Sequence, residues 1–256
     1  MPDRPTDWDA TAYDRVADPQ EEWGREVLER LDLRGDETVL DAGCGSGRVT
    51  RLLAERLPRG RLIAIDASAS MVAMARQALA DSPCRSVHVL EADLGSLELA
   101  ERVDAVFSNA TFHWLLNHTS LFERLAAVLI PGGRLEAQWG GEGNVAEFTR
   151  AVESLLGDER FAPYMRNATR PWNFASIADT EDRLRVAGFE VDRIWTEDRP
   201  VTPADPQAYL RAVGFGSVLR DVPAEVADRF VAAVTGSMTQ PLVLDYVRIN
   251  VSAGRL

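Results

Sequence analysis

The sequence predicts an α/β protein whose parallel sheet is covered by helices on both faces. Short, continuous apolar runs alternate with amphipathic segments of helix length, the pattern of strands buried on both sides. Breaker clusters such as Pro58-Arg59-Gly60 and Pro131-Gly132-Gly133 punctuate them. The first apolar run passes directly through Asp41-Ala42-Gly43-Cys44-Gly45-Ser46-Gly47 into a helix beginning near Arg48. Three glycines at alternate positions let backbone take positive φ and approach a ligand closely. The free N–H groups of the helix start then face that ligand.

Taken in order, residues from Trp8 to Arg30 read as a lid-like segment leading into a helix over 20–31, with Trp23, Val27, Leu28 and Leu31 at helical spacing. Strand 1 spans 38–40 and its helix 48–57. Strand 2 spans 61–65 and ends on Asp66, and a helix over 70–80 stops before Ser82-Pro83. Strand 3 spans 86–90 and runs into Glu91-Ala92-Asp93-Leu94. Strand 4 spans 103–107, followed by Ser108-Asn109-Ala110, a helix over 121–129 and strand 5 over 134–139. After Trp139 the rhythm breaks. A helix over 179–187 ends at Gly188, a favourable C-cap, before strand 6 at 189–196 and a last strand expected over 242–251. The stretches 140–178 and 200–239 are expected to cap the strand ends. Ligands of such sheets sit at the carboxyl ends of the strands, where these acids and glycines fall.

A chain of 256 residues suits one large α/β domain or at most two small ones. No internal linker divides it, so a single domain over 1–256 is expected. A net charge of −12 repels phosphate backbones, so nucleic acid is not expected as a partner. No apolar run reaches membrane-spanning length, and Met1-Pro2-Asp3-Arg4-Pro5 has no signal-peptide pattern, so no membrane association and a cytoplasmic location are expected. All 28 basic residues are arginine, which excludes a Walker-type phosphate loop and Schiff-base chemistry, since both need lysine. Cys44 and Cys84 are too few for a disulfide framework or a cysteine zinc site. Cys44 reads as a small buried residue in the glycine turn.

The dinucleotide fingerprint G-x-G-x-x-G fits Gly43 and Gly45 but places its third position on Arg48. The third glycine comes one residue early, at Gly47. With an acid ahead of it, G-x-G-x-G after strand 1 resembles the first motif of class I S-adenosylmethionine (SAM) methyltransferases. The stretch Phe107-Ser108-Asn109-Ala110-Thr111-Phe112-His113-Trp114 narrows the resemblance to the small-molecule group that includes trans-aconitate and juvenile hormone acid methyltransferases. Trp8, Tyr13 and Leu244-Asp245-Tyr246-Val247-Arg248 are similar to the bacterial trans-aconitate group. The resemblance is specific over 8–139 and loose over the cap.

It implies a Rossmann-like, seven-stranded, mostly parallel sheet with an antiparallel last strand. It also implies SAM as cofactor, with S-adenosylhomocysteine (SAH) as product. Gly43, Cys44, Gly45 and Gly47 would then pack against the methionine portion and ribose, with Asp41 near the amino group. Asp66, beside Ala67, would take both ribose hydroxyls, unless it is simply a helix N-terminal acid. Asp93 would bond the adenine amine with Ala92 and Leu94 beside it, unless it is a surface turn acid. Met71 would lie against adenine or fill the core, and the Asn109 backbone would contact the cofactor.

The resemblance further implies that His113 and Trp114 wall the space where the methyl group meets its acceptor. A small carboxylic acid is the expected acceptor, with no metal and no covalent enzyme intermediate. Its oxygen is already ionised at neutral pH, with a pKa of about 4, and needs no base, whereas a phenol of pKa about 10 would call on His113. Arg150, Arg160, Arg166, Arg170 and Arg211 are candidates to hold further carboxylates, unless they are surface arginines. His88 and His118 read as ordinary surface or strand residues. An O-methyltransferase of a hydroxylated natural product, and a SAM-binding protein without methyl transfer, are the alternatives.

Overall fold

The computed structural model describes residues 7–165, 172–216, 218–219 and 221–256. Among these residues seven strands form one sheet in the order β3-β2-β1-β4-β5-β7-β6. The strands are β1 (Thr38–Ala42), β2 (Arg61–Asp66), β3 (Ser86–Glu91), β4 (Val103–Asn109), β5 (Leu129–Gly140), β6 (Phe189–Asp198) and β7 (Val247–Arg255). Strands β1 to β5 are parallel, and β7 runs antiparallel to both β5 and β6.

Alternation along the strands sends side chains to two cores. In β1, Val39 packs with Leu28, Leu53 and Leu57, beneath α2 (Asp18–Arg30) and α3 (Arg48–Glu55). Leu40 and Ala42 face the opposite core, with Phe122, Leu125 and Leu184 from α5 (His118–Val128) and α7 (Ile177–Val186). Both faces are therefore dry, as continuous apolar strands require. A third cluster is separate from the sheet. It joins α6 (Ala146–Leu156), α8 (Pro206–Tyr209) with its π-turn Leu210–Gly214, and α9 (Ala224–Ser237), through Phe148, Phe215 and Phe230. Two further helices, α1 (Ala10–Asp14) and α4 (Ala69–Ala78), flank the carboxyl edge of the sheet.

The sheet and its antiparallel last strand are as expected, with two displacements. The last strand begins at Val247, five residues after the expected start, and continues to Arg255. Leu242, Leu244 and Tyr246 are apolar because they pack in the helical cluster; a single bridge, Val201 to Leu244, is the sheet-like pairing they make. Strand β5 begins at Leu129, because Leu129 pairs with Val103 before an irregularity that takes up Pro131-Gly132-Gly133. Helix α5 starts at His118, where Asn117 accepts a hydrogen bond from Ser120 N. His118 is thereby buried, with Nε2 2.9 Å from Phe112 O, and is not the surface residue expected.

Candidate active site

The sheet order sets out the site along one edge. The carboxyl ends of β3, β2, β1, β4 and β5 stand side by side, and antiparallel β7 starts at that same edge. Asp93, Asp66, the glycine loop, Asn109 and Gly140 therefore follow one another in a row.

The loop after β1 is fixed by its backbone. Gly43 N and Cys44 N both donate to Ile65 O, at 2.8 and 2.9 Å. Gly43 has φ +92°, and a Cβ built there would lie 2.1 Å from Thr111 Oγ1. Gly47, at φ +90°, is the N-cap of α3, and its Cβ would press to 2.9 Å from Ala75 Cα. Gly45 differs: its Cβ direction is open, with nothing within 4 Å. That opening is where a ligand can meet backbone.

Asp66 accepts hydrogen bonds from Gly45 N and Ser68 N, each at 2.9 Å. The carboxylate keeps acceptor capacity, and burial pushes its pKa up against the backbone bonds from Ser68, Gly45 and Ala67. Ala67 is half-buried in the same turn, and Met71 is buried on α4. Ala92 N donates to Asp66 O, Leu94 is buried, and exposed Asp93 accepts from Gly95 N at 2.8 Å.

Asp41, Gly43, Cys44 and Asn109 line one cavity, together with Tyr13, Gln20, Ser46 and Arg48. Three of its buried acceptor atoms, Asp41 Oδ2, Asn109 Oδ1 and Gln20 Oε1, have no partner among the described residues. The amide nitrogens are engaged: Asn109 Nδ2 donates to Gln20 O at 2.7 Å, and Gln20 Nε2 to Tyr209 OH at 2.9 Å. Orphaned buried acceptors are costly, and three around one cavity suit a group with several N–H donors. Burial pushes the pKa of Asp41 up to about 7; a hydrogen bond with Thr50 opposes this and nearby Asp66 adds to it. Gln20 and Ser46 were not legible from the motif.

The cavity encloses about 50 Å³, far less than the several hundred of a nucleoside site. The N-terminal segment is bonded to the loops around it. Trp8 N donates to Ser68 Oγ, and Ser70 Oγ donates to Trp8 O. Ser46 Oγ donates to Asp14 Oδ1 at 2.8 Å, while Arg48 reaches Asp14 O, Asp18 and Glu21. A larger groove of about 490 Å³ along β3 and α4 shares no lining residue with this cavity.

His113 and Trp114 belong to an adjoining aromatic wall. Trp114 lies 4.9 Å from Trp8, whose ring stands 5.6 Å from Tyr13 of the cavity, and 6.2 Å from Trp172. His113 lies 5.2 Å from Trp114 and 5.8 Å from Phe174. Burial, and secondarily the charge of Arg248, holds the His113 pKa well below the usual imidazole value. Gly140 N donates to its Nδ1 at 3.4 Å, so the neutral ring carries its proton on Nε2. The ring is a donor as it stands.

Beyond it lies a residue to which the motif gave no role. Arg248 stands opposite Gly140 in the sheet. It is 1% exposed; its Nε donates to Gln138 Oε1 at 3.2 Å, and its guanidinium lies over Trp23 at 4.8 Å. Burial lowers its pKa to about 10. The arginines expected from the cap look outward: Arg150, Arg160 and Arg211 are exposed, the last two paired with Asp158 and Asp228. Arg166 and Arg170 lie outside the described residues.

Strand order, glycine loop and acidic crevice define the class I methyltransferase fold. A mycolic acid cyclopropane synthase crystallised with SAH has the same fold, with a TM-score of 0.66 at 17% identity over 99% of this chain and 97% of that one. The methyltransferase-domain family matches residues 39–133. The trans-aconitate 2-methyltransferase of Methylobacterium nodulans is 31% identical over 239 residues, 91% of this chain and 90% of the relative. That of Escherichia coli O1:K1 / APEC is 37% identical over 74% of this chain and 71% of the relative. The chain belongs to the family of SAM-dependent methyltransferases that contains these trans-aconitate enzymes.

Proposed function

We propose that the enzyme methylates a carboxylate of a small organic acid, with trans-aconitate as the acceptor to test first because the relatives' names supply it. The observation that carries the cofactor half of this reading is the set of orphaned acceptors, Asp41 Oδ2, Gln20 Oε1 and Asn109 Oδ1, which fits the ammonium group of SAM. Gly43, Cys44, Gly45 and Gly47 hold its methionine portion and ribose by backbone. Asp66, beside Ala67, has lone pairs for the ribose hydroxyls. Asp93, with Ala92, Leu94 and Met71, at the β3 end of the row, is the proposed adenine side. When bound, SAM supplies an electrophilic sulfonium methyl group for in-line displacement by an acceptor oxygen.

The chain's own residues position and dry that oxygen. No acceptor among the described residues takes His113 Nε2–H, which can donate to the acceptor, and Trp114, with Trp8 and Trp172, excludes water. An anionic nucleophile and a cationic donor neutralise each other as they react, so a dry wall favours the transition state; orientation supplies the rest. A carboxylate needs no base, which agrees with a His113 held neutral. We further propose that the chain acts as one domain, the helices of 140–178 and 200–239 capping the acceptor side.

The test is methyl transfer from labelled SAM to a panel of acids and phenols. Transfer to an acid, with a stoichiometric release of SAH, is expected. Transfer to phenols alone, or tight SAM binding with no transfer, would overturn the reading.

A further inference from the structure

Arg248 is a buried cation with no anion beside it among the described residues. Its Nη2 has no partner among the described residues, and the charges that act on it come from tyrosines, with no described carboxylate among them. Its Nε is held by Gln138, whose Nε2 in turn donates to Asn250 Oδ1 at 3.2 Å. Trp23 fixes the plane of the guanidinium from one side, and Tyr246 lies 6.0 Å from it. A buried unpaired charge is costly, and here the surrounding hydroxyls, Tyr209 and Tyr246, bond to each other at 3.2 Å rather than neutralise it.

Its place in the row says what it faces. The adenosine end belongs to β2 and β3, so the acceptor belongs to the far side of the glycine loop, at β4, β5 and β7. Arg248 is on β7 there, opposite Gly140, whose N–H holds His113. Its charge acts on His113 and on Tyr13 of the cavity.

We propose that Arg248 binds a second, non-reacting carboxylate of the acceptor and is the residue that makes the site favour a polycarboxylic acid such as trans-aconitate over a monocarboxylic one. This rests on the carboxylate reading above. The bound carboxylate is not the one methylated: a guanidinium on the nucleophilic oxygen would stabilise its charge in the ground state and oppose attack. A carboxylate on Nη2 forms a charge-assisted bond and neutralises the buried cation in the same step. Arg248 is thus a specificity-determining residue at the base of the acceptor site, a role the exposed cap arginines cannot take.

The experiment compares trans-aconitate with crotonate, which keeps one carboxylate on a similar unsaturated chain, at saturating SAM. The wild type should prefer trans-aconitate in kcat/KM by at least about 10²-fold, the cost of an unpaired buried charge partner. Arg248→Gln should lose that preference, mainly through a raised KM for trans-aconitate, with SAH affinity within about threefold of wild type; Arg248→Lys should restore part of it. An unchanged preference in both variants overturns the proposal while leaving carboxylate methylation intact. Methylation of neither acid by the wild type overturns both.

Should the variants fail to fold, the wild type alone decides. With SAH bound, trans-aconitate should raise the melting temperature and crotonate at equal concentration should not. Equal shifts overturn the proposal.

Discussion

On the proposed reading, Asp41 is the residue on which cofactor binding turns, because its charge state is set by burial and by what it binds. Its folded pKa of about 7 lies above the unfolded value of about 3.9. Between those values the empty native state holds the extra proton, so stability of the empty protein falls as pH rises from about 4 to about 7. Binding an ammonium group requires the ionised form. At pH 6, calorimetry of SAH binding in buffers of different ionisation enthalpy should therefore report release of nearly one proton, and Asp41→Asn should release none and bind about 10- to 100-fold more weakly. The same titration separates Asp41 from His113 in a rate profile. A limb near pH 7 due to Asp41 vanishes when SAM saturates, since the bound cation keeps the carboxylate charged. With a carboxylate acceptor kcat should then be flat from pH 6 to 8. A limb that persists at saturation and is lost in His113→Ala would assign His113 as a base and the acceptor as a hydroxyl.

The glycine loop shows how one element can divide folding from binding. Gly43 and Gly47 have positive φ and no room for a Cβ, whereas Gly45 has positive φ and open space. Gly43→Ala should cost more than about 2 kcal/mol in urea unfolding, through strain and the clash with Thr111. Gly45→Ala should cost only about 1 kcal/mol, the penalty of a left-handed residue, yet weaken SAM binding more than about tenfold. Such elements were legible because each is written locally. An apolar run, a breaker and a cap recur at β1 through β5, so those strands and the acids at their ends could be placed from the chain alone. The end of the chain was not. Leu242, Leu244 and Tyr246 alternate like a strand but are apolar for the helical cluster they enter, and only the register with β5 and β6 sets Val247 as the true start. His118 escaped for a similar reason: its burial follows from the cap at Asn117 and the packing of α5 on the sheet, neither of which a lone histidine announces. Arg248 reads as one arginine among 28; only the fold reveals that it is buried without an anion among the described residues.

At the scale of the molecule, the charge of the chain and the geometry of the sheet edge choose the same ligand. The net charge is −12, and the crevice concentrates it: Asp41, Asp66, Asp14 and Glu21 stand around the glycine loop, with Arg48 committed to Asp14, Asp18 and Glu21. A pyrophosphate placed at the start of α3 would meet these carboxylates with its own charge. A sulfonium nucleoside with an ammonium group meets them with the opposite charge, so the acidic ring that repels one cofactor attracts the other. On the proposed reading access has a cost, because Trp8 to Asp14 is bonded to Ser68, Ser70 and Ser46 beside a cavity too small for a nucleoside, and would have to move to admit one. SAM at a hundred times its Kd should stabilise the fold by about 2.7 kcal/mol, while NAD at the same concentration should leave the melting curve unchanged. Hydrogen exchange over 8–14 should slow with SAM alone if the segment closes again over the bound nucleoside. Equal stabilisation by NAD would mean that the third glycine, one residue early, does not discriminate between the two cofactors, and that the acidic ring is screened in the open state.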